Sequence, residues 1–364
     1  MMDLPRQYAS LKPEIDRAVA GVLETQRFRG GPVVEQFERN VAAYVGAPHA
    51  LGVSTGTDAI LLMVRALDLK PGDEIITTPF TFFATGGAIV NAGGVPVFVD
   101  IEPDTFNIDP AKIEAAITPR TRAIIPVHIF GQCADMDPIL AIGKQHGLVV
   151  FEDAAQALGA KYKGRAACSM AAGAGISYYP SKNLGAAGEG GMVVANEDWL
   201  FDKVRLLRAH GAEKTYIHQL VGTNSHLHAI QAAVLDVKLK QLDAWNARRR
   251  DIAAAYTNAF LGLEGITPPT TRPGNEHVWH QYVVRIRERD AALALLKSRE
   301  IECGVFYPLP LHRQECFAPY GGAKAECPEA DRASAEVLAL PIYPEMEDAQ
   351  LDFVIETVRE HLRG

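Results

Sequence analysis

From about residue 10 to residue 245, short apolar runs alternate with stretches in which apolar residues return every three or four positions. That is the pattern of strands feeding helices. The runs at 50–53, 74–78, 95–99, 123–127, 148–151, 176–179 and 192–195 predict seven strands, and 33–45, 58–66 and 138–146 read as helices between them. Regular alternation of this kind implies an α/β fold, a mainly parallel sheet sandwiched by helices. A long amphipathic pattern over 226–261 predicts one helix, with Leu235, Leu239 and Leu242 on its apolar stripe and Arg248, Arg249 and Arg250 facing out. Past Pro268-Pro269 and Pro273-Gly274 the alternation restarts at 278–287 and ends in a helix over 348–362. The expected division is a large α/β domain over 1–245 and a smaller α+β domain over 246–364.

Composition narrows the function classes. The 364 residues are 48% apolar and 22% charged, and no apolar run approaches the roughly 20 residues needed to span a bilayer. No membrane association is expected. Residues 1–6 lack the basic start and apolar core of a secretion signal, so a cytoplasmic location is expected. A net charge of -8 without a basic cluster makes nucleic acid a poor partner, but leaves room for a phosphorylated small molecule. Cys133, Cys168, Cys303, Cys316 and Cys327 are scattered, with neither a disulfide framework nor zinc spacing among them.

The chemistry concentrates in Ser177-Tyr178-Tyr179-Pro180-Ser181-Lys182-Asn183-Leu184-Gly185, where one lysine stands between a stiff aromatic-proline approach and a glycine-rich segment. A solvated loop lysine is the competing reading. About thirty residues upstream, Phe151-Glu152-Asp153-Ala154-Ala155-Gln156 closes an apolar run, placing Asp153 at a strand's carboxyl end, where α/β sheets gather ligand groups. A helix N-cap is the bland alternative there. An amine able to form a Schiff base and a carboxylate able to hold a pyridinium proton are the two charges a pyridoxal phosphate site requires. Ser54-Thr55-Gly56-Thr57-Asp58 follows a strand and opens a helix, a phosphate cradle or an ordinary capped junction. Phe80, Phe82 and Phe83 follow another strand, where a ring could stack on a planar cofactor or simply pack in the core.

Together with Asp3 to Tyr8, Gly31 to Glu38, Pro126 to Gly131, Gly222 to Ser225 and Tyr307 to His312, these ordered motifs resemble the DegT/DnrJ/EryC1/StrS family across essentially the whole chain. The family consists of fold type I sugar aminotransferases dependent on pyridoxal 5'-phosphate. The resemblance implies that Lys182 forms the Schiff base and shuttles the proton, that Asp153 pairs with the pyridine nitrogen, and that Gln156 bonds the phenolic oxygen. It further implies that Phe82 and Ala155 cover the two ring faces and that Gly56, Thr57 and Ser177 bind the phosphate. Asn224 would reach the phosphate of a neighbouring subunit, making a homodimer with shared sites. The implied donor is L-glutamate and the implied acceptor a nucleotide-linked keto sugar. The form of the segment after Lys182 is closer to members that aminate C3 than to those that aminate C4.

His226 departs from the family pattern, which has an arginine there, and imidazole does not reproduce an arginine's bidentate fork. Phe28, Arg29, His226, Tyr307 and His312 are the expected substrate contacts. His226 with His228, or His277 with His280, also has the spacing of a metal pair, but no carboxylate or Cys accompanies either, so no metal site is expected. A competing class, a nicotinamide-dependent ketone reductase, would use Tyr178 and Lys182, yet Pro180 interrupts the helix that pair needs. A third reading is a pyridoxal-binding regulatory protein without turnover.

Overall fold

The computed structural model describes residues 3–363. Its seven principal strands are β1 (His49–Val53), β2 (Glu74–Thr77), β3 (Val95–Phe98), β4 (Thr121–Ile125), β5 (Val149–Asp153), β6 (Gly173–Ser177) and β7 (Gly191–Ala195). They form one sheet in the order β1-β7-β6-β5-β4-β2-β3. Pairing from β6 across to β3 is parallel, and β7 runs antiparallel to both its neighbours. The fold is therefore the mainly parallel α/β arrangement the alternation implied.

Successive strand residues feed two apolar layers, as the two-residue period of a strand requires. Ile76, Ile124 and Val150 face one layer, and Ile75, Ala123 and Phe151 face the other. Helices α1 (Leu4–Thr25), α2 (Pro32–Val45), α3 (Gly56–Arg65), α4 (Phe83–Asn91), α5 (Met136–His146), α6 (Asp198–Leu207) and α7 (Ala229–Leu239) surround the sheet. α2, α5 and α7 supply the first layer; α3, α4 and α6 supply the second. β6 begins three residues earlier than its apolar pattern suggested. Gly173 and Gly175 sit where a Cβ would lie 2.3 Å from Leu200 and 2.5 Å from Ile60, so close helix packing demands glycine in a strand.

Beyond α8 (Leu242–Phe260), strands β8 (Ile266–Thr267), β9 (Tyr282–Ile286) and β10 (Val337–Leu340) form a second, antiparallel sheet. Its core joins Tyr256 and Phe260 of α8 with Tyr282, Val284 and Leu338, closed by α9 (Arg289–Ser298) and α11 (Asp348–Arg363). Another helix, α10 (Pro328–Glu336), packs beside β9. Among the described residues no helix is long and apolar enough to cross a membrane.

The long pattern over 226–261 is two helices, because Lys240 and Gln241 interrupt it and the stretch before α7 is extended. Nor do all three arginines face out. Arg250 is exposed, whereas Arg249 is buried and donates to the carbonyls of Trp279 at 3.1 Å, His280 at 3.4 Å and Ile342 at 2.8 Å. Burial lowers its pKa to about 10, opposed by Glu345. Carbonyl oxygens, rather than carboxylates alone, make a buried guanidinium tolerable here.

Candidate active site

β5 ends in two carboxylates that point to opposite faces of the sheet. Glu152 is fully buried, and its oxygens accept the backbone N–H groups of Cys168 at 2.9 Å, Met170 at 2.9 Å and Ala171 at 3.0 Å. His128 completes the shell at 2.9 Å through Nε2, while its Nδ1 accepts the Ala134 N–H at 3.2 Å. Because Nδ1 accepts, Nε2 carries the proton donated to Glu152. Glu152 is thus a structural anchor for the 168–171 turn, a role the sequence reading did not separate from its neighbour's.

Asp153 turns the other way, toward a cavity of about 520 Å³ that its side chain helps line. The Thr85 hydroxyl, in the first turn of α4, donates to Oδ2 at 2.7 Å, and the Ala155 N–H donates to Oδ1 at 3.1 Å. Burial raises its pKa, opposed by those two donors and by Lys182 and His128. The carboxylate is therefore oriented by its partners and open to a further cation.

Lys182 lines the same cavity, in a turn closed by its own N–H on the Tyr179 carbonyl at 2.8 Å. The residue is partly buried. Burial lowers its pKa to about 8, opposed by Asp153. Nζ makes no hydrogen bond or ion pair with any described residue. An amine poised near neutral pH, without a partner, beside an oriented carboxylate fits a cofactor that takes both.

The remaining lining fits the rest of pyridoxal phosphate. Thr55 caps α3 by accepting the Asp58 N–H at 3.0 Å, which leaves Gly56 and Thr57 in its first turn, where N–H groups lack helical partners. A Cβ on Gly56 would stand 2.5 Å from that of Ser177, so only glycine lets these two walls meet. Phe82, with 58% of its surface exposed, and Ala155 also line the cavity, while Phe80 is core and Phe83 packs on Phe317. Gln156 is held by the Phe130 N–H donating to Oε1 at 2.6 Å, which turns Nε2 toward the Tyr307 hydroxyl at 3.2 Å. Its amide nitrogen is the end available to an anionic oxygen.

The structure brings together Gly56, Thr57, Phe82, Asp153, Ala155, Gln156, Ser177, Lys182 and Tyr307 at one cavity. It does not bring the others there. His312 is buried away from the cavity, 3.3 Å from Asp331. Asn224 is exposed and bridged to Ala209, and Phe28 is exposed. Arg29 lies against His226, with its guanidinium 2.6 Å from Nε2, and burial followed by the Arg29 charge lowers the His226 pKa to about 4. A neutral imidazole is what lets the two coexist. Tyr178 packs against Phe37 in the core and does not line the cavity, so it forms no reductase pair with Lys182. His277 stacks on Trp279 with ring centres 3.7 Å apart. Asn183, within the lysine motif, and His280, weighed in the sequence only as a metal partner of His277, join Asn246, which no motif included, in one hydrogen-bonded chain beside Lys182. No local signal links them, because Asn183 is 63 positions from Asn246 and 97 from His280.

Comparison with known proteins gives the family and the fold. Residues 9–359 match the model of the DegT/DnrJ/EryC1/StrS aminotransferase family. The chain is 48% identical to the pleiotropic regulatory protein of Geobacillus stearothermophilus, covering 100% of this chain and 98% of that one. It is 42% identical to the dTDP-3-amino-3,4,6-trideoxy-alpha-D-glucose transaminase of Streptomyces venezuelae, covering 99% and 95%. The crystal structure of S. venezuelae DesV in complex with a ketimine intermediate superposes with a TM-score of 0.97 at 42% identity, covering 100% and 98%. The chain therefore belongs to the DegT/DnrJ/EryC1/StrS aminotransferase family, and it is an aminotransferase dependent on pyridoxal phosphate.

Proposed function

We propose that this chain moves an amino group from L-glutamate to the keto group of a nucleotide-linked sugar, at C3 of the ring. The observation that carries the reading is the meeting of Lys182 and Asp153 in one cavity with a helix N-terminus. Pyridoxal phosphate, when bound, supplies an electron sink for the pair left at the donor's α-carbon. Lys182 Nζ takes the α-proton and returns it on the other side of the transfer, a task suited to an amine whose pKa is about 8. Asp153, oriented by Thr85 and Ala155, holds the protonated ring nitrogen. Gly56, Thr57 and Ser177 bind the phosphate, Gln156 Nε2 donates to the phenolic oxygen, and Phe82 and Ala155 cover the ring. The names of related transaminases that make 3-amino sugars support C3.

In the same reading the working unit is a cytoplasmic homodimer, built on domains 1–245 and 246–364. An exposed Asn224 that does not line its own cavity supports a contact with the second copy's phosphate. Phe28, Arg29, His226 and His312 then act on the neighbour's substrate or on none, whereas Tyr307 faces its own. The name of the Geobacillus relative favours a second reading, a cofactor-binding regulator without turnover. Visible absorbance of the protein before and after L-glutamate separates the two. Conversion of the lysine-bound cofactor band establishes transfer; a band that glutamate and other amino donors leave unchanged refutes it. Product analysis with 3-keto and 4-keto nucleotide sugars then decides the ring position.

A further inference from the structure

Beside Lys182 lies a chain of buried amides anchored at both ends on backbone carbonyls. Asn246 Nδ2 donates to the Leu158 carbonyl at 3.2 Å, so its Oδ1 is the end that accepts from Asn183 Nδ2 at 2.8 Å. Asn183 Nδ2 also donates to the Val278 carbonyl at 3.0 Å. A carbonyl oxygen only accepts, which fixes the orientation of both amides. Asn183 Oδ1 is left facing His280 Nδ1 at 3.1 Å, and an amide oxygen cannot donate, so the proton of that hydrogen bond resides on Nδ1.

The other ring nitrogen is then an acceptor. His280 Nε2 makes no hydrogen bond with a described residue, yet it is not among the unpartnered atoms sealed from solvent. His280 is only 8% exposed and lines the cavity that holds Lys182 and Asp153, and with Nδ1 turned to Asn183 the opposite ring nitrogen, Nε2, is the one left to face that cavity. Behind the ring, Arg249 holds the backbone carbonyl of His280 itself. One bond, to Asn183, holds both the ring and its tautomer, and a second, from Arg249, holds the backbone.

We propose that Asn246 and Asn183 lock His280 as its Nδ1–H tautomer, so that Nε2 serves as a fixed acceptor for a hydroxyl or amino group of the substrate. Burial, with the charges of Lys182 and Arg249 nearby, pushes the His280 pKa well below its ordinary value, so the lone pair persists wherever the enzyme works. Asn183 and Asn246 are positioning residues, acting only through the ring. The proposal rests on the aminotransferase reading for the identity of the ligand, but the tautomer does not.

Two measurements test it separately. Nitrogen-15 NMR of histidine-labelled, cofactor-free protein, with His280→Gln identifying the signal, is expected to show His280 protonated at Nδ1 and bare at Nε2. A proton on Nε2 overturns the proposal whatever the enzyme's substrate. In cofactor-loaded protein, His280→Phe removes the acceptor and is expected to weaken one substrate roughly tenfold or more, because a buried donor loses its partner. The two half-reactions are followed by absorbance: an effect confined to L-glutamate assigns the amino group, and one confined to the nucleotide sugar assigns the hydroxyl. His280→Gln, whose amide oxygen can replace Nε2, is expected to recover most of the loss, and should the Phe variant not fold the nitrogen-15 measurement decides the proposal. Unchanged affinity for both substrates in a folded His280→Phe protein overturns the proposal, while absence of cofactor binding in the parent overturns the aminotransferase reading instead.

Discussion

Replacing Lys182 by Met removes the amine, keeps the side chain's length, and isolates the cost of holding a charge at the cavity wall. Burial lowers the Lys182 pKa from 10.5 to about 8. At about 1.36 kcal/mol per pKa unit, the charged amine costs the cofactor-free protein at most about 3 kcal/mol. Asp153 loses a neighbouring cation in the variant, which trims the expected gain to about 1–3 kcal/mol. Below pH 8 the amine is charged in both folded and unfolded chains, so the cost is fully present. Between pH 8 and 10.5 the unfolded chain holds a proton the folded one has released, and parental stability rises with pH. Above 10.5 both forms are neutral and the difference vanishes. Urea unfolding of cofactor-free parent and Lys182→Met, compared at equal slope at pH 7 and above pH 10.5, measures the two ends. A variant no more stable than its parent at pH 7, or a gain undiminished at high pH, refutes the reasoning.

Three other substitutions probe distinct parts of the structure. Glu152→Gln places an amide NH2 among three backbone donors and His128, and is expected to cost about 2–4 kcal/mol, read as a lowered Tm; a change below about 0.5 kcal/mol would contradict the anchoring role. Asp153→Ala is expected to reduce kcat by about 1,000-fold or more while cofactor affinity falls far less, because it removes the charge that keeps the ring nitrogen protonated. Near-normal turnover in that variant would end the assignment. In Gly56→Ala the new methyl meets Ser177 at 2.5 Å, so cofactor affinity should drop about tenfold in an absorbance titration, and an unchanged value would show that the α3 N-terminus does not hold the phosphate.

What was legible in the sequence follows from how locally each feature is encoded. Strand and helix periods exposed all seven strands of the sheet, since each is written in a few consecutive residues. α1 escaped, although Asp3 caps it by accepting the Arg6 N–H at 3.0 Å and Pro5 occupies its first turn. The apolar stripe there is thin, and Pro13 lies within it. Arg249 was misjudged because its partners are carbonyls some 30 and 93 positions away, which no helical wheel displays. That Lys182 and Asp153 line one cavity was readable because turn chemistry and a strand end mark them. His312 was not, since its loop neighbour Tyr307 reaches the cavity while its own ring turns to Asp331.

The pair at the end of β5 has a consequence for assembly. Glu152 and Asp153 differ by one methylene and occupy places that are not interchangeable, one a closed ring of N–H donors and the other the lip of the cavity. A slip of β5 by a single position would invert both side chains: in one direction the shorter acid takes the place among donors it cannot fully reach, and in the other the longer one enters the space meant for a ligand. The sheet thus checks its own alignment where function depends on it: only the correct pairing satisfies the buried anion, and the correct pairing is also the one that equips the enzyme.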